Sequence, residues 1–232
     1  MGSYNKCIFL NKLFSRSVYR IPVTFVVGYK NTHYTSFLLS YGLLIPRQET
    51  IELVDILGRV IKLYFICTVI DLGTGSGILG VSLLNKFTNL SLLLTDRFKN
   101  ILFFTIINVI RHKLRKLKFI CCNWYDFIPY GDKFDLIISN PPYVSMNEYS
   151  FFVDFLTFEK KHSLISFEYG LSDLYYIIKL SYHYLNNNGC IFFEHGYLQS
   201  KAIRKALRCS GLSNICTYND YFNLSRITFS EK

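Results

Sequence analysis

The stretch Val69-Ile-Asp-Leu-Gly-Thr-Gly-Ser-Gly77 commits the chain to a strand, a sharp turn and a helix. Its apolar, β-branched start suits a buried strand. Glycines at 73, 75 and 77 let the backbone turn at once and come close to a ligand. The helix predicted over 77–86 then opens on free N–H groups. Gly75, Gly77 and Gly80 also satisfy the spacing G-x-G-x-x-G, a weak signal when it stands alone. Three alternating glycines exceed what a strand-to-helix turn needs, so ligand binding is the expectation.

The same alternation continues along the chain. Strands are predicted at 65–71, 90–95, 117–122, 134–139 and 190–194, and helices at 77–86, 99–111, 171–185 and 200–209. Before the first of these strands, Leu53, Leu57, Val60 and Ile61 recur at helical spacing, with Glu49, Glu52 and Asp55 near the start, where they complement the helix dipole. Two closing strands, near 215–218 and 225–229, have no helix between them and are expected as an antiparallel edge. The pattern predicts an α/β protein with a seven-stranded, mostly parallel, doubly wound sheet. Ahead of it, Pro22–Tyr29 and Tyr34–Ile45 read as two extended segments about a Gly28–Asn31 turn, a small β-hairpin extension. The division expected is a segment 1–20, a hairpin 21–46 and a main domain 47–232.

A chain of 232 residues, half of them hydrophobic, suffices for one substantial core. The formal net charge of +10 suits an acidic partner such as nucleic acid. Lysine-rich, alanine-poor composition, with alanine only at 202 and 206, explains the same charge by AT-rich codon usage. The seven cysteines form no Cys-x-x-Cys pair and have no histidine at metal spacing, so no metal is expected. Cys67, Cys121, Cys122 and Cys190 lie in apolar runs and are expected as buried free thiols in a reducing compartment. The apolar region 90–110 is broken by Asp96, Arg97 and Lys99, which argues against a membrane span.

Three further segments carry chemistry at predicted strand ends. Asp96 follows the glycines by about 20 residues, where a carboxylate accepts hydrogen bonds from ribose hydroxyls. Asp71 stands beside the loop and can orient it or hold a charged ligand group. After the third strand comes Asn123-Trp124-Tyr125-Asp126, whose indole offers a flat face to a base. After the fourth comes Asn140-Pro-Pro-Tyr143. Neither proline has an N–H to donate, so the strand stops in a rigid corner rich in acceptors and poor in donors. Such a corner suits a substrate that presents N–H groups.

Together, the glycine loop, Asp96 and Asn140-Pro-Pro-Tyr143 resemble the class I S-adenosylmethionine-dependent methyltransferases that act on planar amino or amide nitrogens. Within that group the chain resembles the HemK/PrmC family, the protein-glutamine methyltransferases of peptide chain release factors. Pro22-Val-Thr-Phe-Val-Val-Gly28 is similar to that family's Pro-x-x-Tyr-x-x-Gly segment. Leu44-Ile-Pro-Arg-Gln-Glu-Thr50 is similar to its Ile-Pro-Arg-Pro-Glu-Thr signature. Asp71-Leu-Gly-Thr-Gly-Ser-Gly77 matches its glycine loop, and Asn188–Gln199 resembles its closing strand and turn. The resemblance covers the chain from about residue 20 onward, and 1–20 is expected as a remnant of the domain the family carries there.

The resemblance implies S-adenosylmethionine as cofactor, held by Asp71, Gly73, Thr74, Gly75, Ser76, Gly77, Asp96, Trp124 and Asn140. It implies methyl transfer to the glutamine amide of a release factor's Gly-Gly-Gln motif. Asn140, Pro141, Pro142 and Tyr143 would be the catalytic and substrate-binding residues, with Arg47 contacting substrate. A cytoplasmic location, in an AT-rich reduced bacterial genome or an organelle, goes with that reading. Two alternatives stay open at this point. One is a methyltransferase for exocyclic amino groups of adenine or guanine in RNA or DNA. The other is a protein that binds cofactor or ribosome without catalysis.

Overall fold

The computed structural model describes residues 21–33, 35–156 and 158–232, without the side chains of 152–156. The expected segment 1–20 lies outside the described residues.

A seven-stranded sheet forms the centre, with strands β3 (Thr68–Leu72), β4 (Ser91–Asp96), β5 (Leu117–Cys121), β6 (Phe134–Ser139), β7 (Leu185–Glu194), β8 (Ser213–Asn219) and β9 (Ser225–Glu231). Their order across the sheet is β5-β4-β3-β6-β7-β9-β8. β5 through β7 run parallel, while β9 pairs antiparallel with both β7 and β8, as the missing helix between the last two strands implied. From β3 the chain goes first to β4 on one side and later to β6 on the other. Between β3 and β6 the strand order therefore reverses, the point at which open α/β sheets bind ligands beyond their carboxyl ends.

Alternation along each strand decides which helix it meets. Val69, Leu136, Ile138, Cys190 and Phe192 point to one face, with Leu53 and Leu57 of helix α2 (Gln48–Leu63) and Val81 and Leu84 of α3 (Ile78–Lys86). Ile70, Leu72, Ile137, Ile191 and Phe193 point to the other, with Leu174 and Ile177 of α6 (Ser172–Tyr184) and Ile203 and Leu207 of α7 (Ser200–Cys209). By the same parity, Asp71 and Glu194 lie on the α2 face.

The N-terminal extension differs from its sequence reading. Val23–Val27 is a short helix, α1, rather than a strand, and Gly28 closes it at φ 84°, with its N–H on the Thr24 carbonyl. The β-branched run suggested extension, but Pro22 before the helix and a left-handed glycine after it are helix boundaries. The hairpin exists with a different turn: β1 (Tyr29–Asn31) pairs antiparallel with β2 (Ser36–Leu38), from Tyr29 opposite Leu38 to Asn31 opposite Ser36. Asn108 of α4 (Lys99–Arg111) ties it down, accepting from Leu38 N–H at 2.7 Å and donating to the Leu38 carbonyl at 3.2 Å.

Sequence reading also missed helix α5 (Met146–Leu156). Ser145 and Glu148 start it as a reciprocal capping box: the Glu148 N–H donates to Ser145 Oγ at 3.2 Å, and the Ser145 N–H donates to Glu148 Oε2 at 2.9 Å. Strand β7 begins at Leu185 rather than 190, with a register shift in its pairing to β6. Cys122 and Cys190 are buried, as expected, but Cys67 and Cys121 are exposed, at the start of one strand and the end of another. No described helix is long and apolar enough to cross a membrane.

Candidate active site

The loop after β3 is held from three sides. Gly73, Gly75 and Gly77 all have positive φ, and a Cβ on Gly77 would stand 2.9 Å from carbons of both Thr105 and Val81. From α4, Thr105 Oγ1 donates to the Gly75 carbonyl at 2.7 Å and Asn108 Nδ2 to the Ser76 carbonyl at 2.9 Å. From β3, Asp71 Oδ2 accepts from Thr74 Oγ1 at 2.8 Å and from the Gly80 N–H at 3.1 Å. Gly80 packs α3 onto β4, since a Cβ there would lie 2.5 Å from Leu94 Cδ2. Asp71 is buried, and this burial pushes its carboxyl up to about 7.

Asp96 ends β4 beside this loop. Its Oδ2 accepts from the Gly75 N–H at 3.2 Å and its Oδ1 from the Phe98 N–H at 3.0 Å. Burial raises the carboxyl, and those two N–H groups work against the rise. Each oxygen keeps a lone pair for a ribose hydroxyl. Trp124 follows β5 with its ring edge against Gly73, where a Cβ would lie 3.0 Å from Cζ3. Its indole N–H donates to Asp173 Oδ1 at 3.1 Å, which locks the ring to the start of α6.

Asn140 begins the corner after β6. Its Nδ2 is 3.2 Å from Thr50 Oγ1 in the first turn of α2, and Thr50 Oγ1 donates to Glu194 Oε2 at 2.8 Å. The Tyr143 hydroxyl donates to Glu194 Oε1 at 2.9 Å. The Tyr143 carbonyl accepts from Gln199 Nε2 at 2.9 Å, and the same Nε2 reaches the Tyr169 carbonyl at 3.1 Å. Burial opposes the charge on Arg47, but Tyr143, Glu159, Glu194 and Glu49 around it more than offset this and raise it.

These pieces line an open cleft over the carboxyl ends of β3 to β6. Of the residues predicted from sequence, Asp71, Gly73, Thr74, Gly75, Ser76, Asp96, Trp124, Asn140 and Pro142 line it. Arg47, Pro141 and Tyr143 instead line a small adjoining pocket, which shares Asn140 and Pro142 with the cleft. Gly77 lines neither and serves as the N-cap of α3. Phe98 and His162, with ring centroids 3.9 Å apart and planes tilted by 33°, and Thr50 line the cleft without having been singled out. Glu194, at the end of β7, was not singled out from sequence either. A carboxylate ending the apolar run Cys-Ile-Phe-Phe was the signal for it, because a buried charge needs partners.

The cleft suits an adenosyl sulfonium ligand. The Asp96 carboxylate is able to accept from ribose hydroxyls, aromatic and aliphatic walls offer apolar surface, and beside Gly75, where an added Cβ would meet nothing, there is room for close approach. Among the described residues no group of His, Cys, Asp and Glu is arranged to hold a metal.

Comparison with known proteins agrees with this. The family described as Methyltransferase small domain matches residues 55–162. Among solved structures, a T. thermophilus 16S rRNA N2 G1207 methyltransferase in complex with AdoMet and guanosine aligns with a TM-score of 0.63 at 12% identity, covering 88% of this chain and 49% of that one. A ribosomal protein L11 methylase from Lactobacillus delbrueckii subsp. bulgaricus aligns at 0.56 and 22%, covering 77% of each chain. Both show the fold, that of class I S-adenosylmethionine-dependent methyltransferases. The release factor glutamine methyltransferase of Buchnera aphidicola subsp. Acyrthosiphon pisum is 34% identical over 97% of this chain and 80% of its own length. That of Vibrio cholerae is 31% identical over 90% of this chain and 73% of its own. With the Ile-Pro-Arg segment, the glycine loop and the Asn-Pro-Pro-Tyr corner meeting at one cleft, and with identity of this extent along nearly the whole length, the chain belongs to the release factor glutamine methyltransferase family.

Proposed function

We propose that the protein transfers a methyl group from S-adenosylmethionine to the side-chain amide nitrogen of the glutamine in the Gly-Gly-Gln motif of a peptide chain release factor. The observation that carries this is the Asn140-Pro-Pro-Tyr143 corner, rich in acceptors, opening on a cleft that suits an adenosyl ligand. The cofactor supplies an electrophilic methyl group on a sulfonium. The catalytic domain is 47–232, with the extension 21–46 packed on it through Asn108.

An amide nitrogen is a poor nucleophile because its lone pair is delocalised into the carbonyl. Asn140 Oδ1 and the Pro141 carbonyl accept the two N–H groups of the substrate amide and aim its lone pair at the methyl carbon. With the cofactor bound, the methyl group would pass from its sulfur to this nitrogen, and the proton the nitrogen gives up would leave to water, since no side-chain base is needed at the corner. Carbonyl dipoles stabilise the positive charge that grows on nitrogen. Tyr143 packs on the amide plane, and Arg47 contacts the substrate chain from the adjoining cavity. Most of the acceleration is positioning, which supplies up to about 7–11 kcal/mol in favourable cases. Asp71, the glycine loop and Asp96 hold the cofactor, and Trp124 walls it. A release factor as substrate supports a cytoplasmic location, beside the ribosomes that factor serves; contacts of its basic surface with nucleic acid are secondary.

The test is incubation with methyl-labelled S-adenosylmethionine and a release factor, with the motif's glutamine intact or replaced. Label is expected only on the intact factor. Equal label on both, or label that nuclease removes, overturns the reading.

A further inference from the structure

A side-chain amide donates from one end and accepts from the other, and only its neighbours decide which end faces where. For Asn140 the deciding neighbour is two bonds away. Glu194 is buried on the α2 face of the sheet, and its two oxygens lie 2.8 Å from Thr50 Oγ1 and 2.9 Å from the Tyr143 hydroxyl. An ionised carboxylate only accepts, so both hydroxyls point their protons into it. Thr50 has a single proton. Once that is committed to Glu194, Thr50 presents lone pairs to Asn140, 3.2 Å away. A carbonyl turned towards those lone pairs would be repelled, whereas an NH2 group is bound. Among the described residues no donor reaches Asn140 Oδ1, which is left as the open end of the amide.

We infer that Glu194 is a positioning residue that, acting through the Thr50 hydroxyl, fixes Asn140 with its NH2 end inward and its Oδ1 free to accept the substrate's N–H. The inference deepens the methyl-transfer reading and rests on it. It also explains why the Ile-Pro-Arg-Gln-Glu-Thr segment and the Asn-Pro-Pro-Tyr corner occur together. Thr50 is the contact through which the first sets the polarity of the second. The one carboxylate holds the corner at both ends, Asn140 through Thr50 and Tyr143 directly. Burial raises the Glu194 carboxyl; the hydrogen bonds from Thr50 and Tyr143, and after them the Arg47 cation, work against that rise and favour the acceptor-only form, while Glu49 adds to it.

Two readouts test this on the full chain with S-adenosylhomocysteine bound. The first is the side-chain amide of Asn140 in protein labelled with 15N-asparagine, assigned by its loss in Asn140→Asp. Its NH2 protons are expected to be protected from exchange in wild type and in Thr50→Ser, and to lose at least about tenfold of that protection in Thr50→Val and Glu194→Gln. The second is turnover on release factor. Thr50→Val and Glu194→Gln are expected to lower kcat by about 10²-fold, the scale of a misplaced reacting group. Cofactor Kd should change far less than kcat, since Asp71, Asp96 and the glycine loop are untouched, and Thr50→Ser should restore most of kcat. Protection or full turnover in Thr50→Val overturns the inference, as does a Thr50→Ser as poor as Thr50→Val. Loss of cofactor affinity in step with kcat also overturns it, since that marks a merely structural role. Wild-type protein that leaves release factor unlabelled overturns the substrate reading instead, and the amide protection then still decides the orientation of Asn140.

Discussion

Gly170 lies so close to the Tyr143 carbonyl that a Cβ built on it would stand 2.1 Å from that oxygen. It closes a left-handed run, Glu168 at φ 53°, Tyr169 at φ 58° and Gly170 at φ 82°, that presses the 166–171 turn against the corner after β6. Gly170→Ala would have to displace both the Tyr143 carbonyl and Gln199, whose Nε2 would lie 2.7 Å from the new carbon. Overpacking of this kind costs about 1–3 kcal/mol. The expected outcome is a lower unfolding midpoint together with a fall in kcat of about tenfold or more. Cofactor Kd, set on the far side of the cleft, should hold. Calorimetry and single-turnover methylation check it.

The carboxyl of Asp71, raised to about 7, lies at a cleft meant for a cationic ligand. A bound cation favours the ionised form, so binding releases a proton wherever the free protein is still protonated. Affinity for S-adenosylmethionine is therefore expected to tighten as pH rises towards about 7 and then level off. In Asp71→Asn that dependence should disappear, while an amide oxygen still accepts from Thr74 and Gly80. Titration calorimetry in buffers of different ionisation enthalpy measures the proton directly.

His195 offers a stability test. It is buried, with Nδ1 2.9 Å from the Gly196 carbonyl and Nε2 2.8 Å from Thr228 Oγ1. A carbonyl only accepts, so Nδ1 carries the proton and Nε2 accepts from Thr228. Burial depresses the ring to about 4 from an ordinary 6.5. The unfolded chain then binds a proton between those values that the folded chain does not. Stability present above about 6.5 is lost as pH falls towards 4, on the order of 3 kcal/mol in all. Asp71, raised to about 7, contributes in the opposite sense over this range in wild type and mutant alike, so denaturant unfolding at pH 7 and pH 4.5 should show His195→Gln gaining stability relative to wild type as pH falls, by about that amount.

Trp124 is the chain's single tryptophan, and it lines the cleft. Its emission is expected to change on titration with S-adenosylhomocysteine and to report Kd without a label. Trp124→Phe removes the hydrogen bond to Asp173 and should cost about 1 kcal/mol of stability, with weaker cofactor binding.

Legibility in the sequence followed distance along the chain. The glycine loop, Asp96 and the Asn-Pro-Pro-Tyr corner are short strings whose chemistry is carried by adjacent residues. The strand alternation that places them at one sheet edge is likewise local. What escaped is the set of bonds joining these strings. Thr50 meets Asn140 across 90 residues and Glu194 across 144, and no periodicity encodes such a meeting. Helix α1 was misjudged because Val-Thr-Phe-Val-Val favours strands by side chain, while Pro22 and Gly28 fix its ends as a helix. For α5 the signal was present in Ser145 and Glu148 and simply local. Cys67 and Cys121 sit at strand ends, where an apolar run no longer guarantees cover.

The parity of the sheet has a consequence for how the chain finds its fold. Asp71 and Glu194 share a face with α2 and α3, where hydroxyls and N–H groups receive them. A slip of one residue in β7 would swing Glu194 to the opposite side, among Leu174, Ile203 and Leu207. There it would stand as a bare anion in hydrocarbon, a cost of several kcal/mol. The groups proposed to arrange the reaction thus also audit the assembly of the sheet, rejecting a misthreaded strand before any ligand arrives.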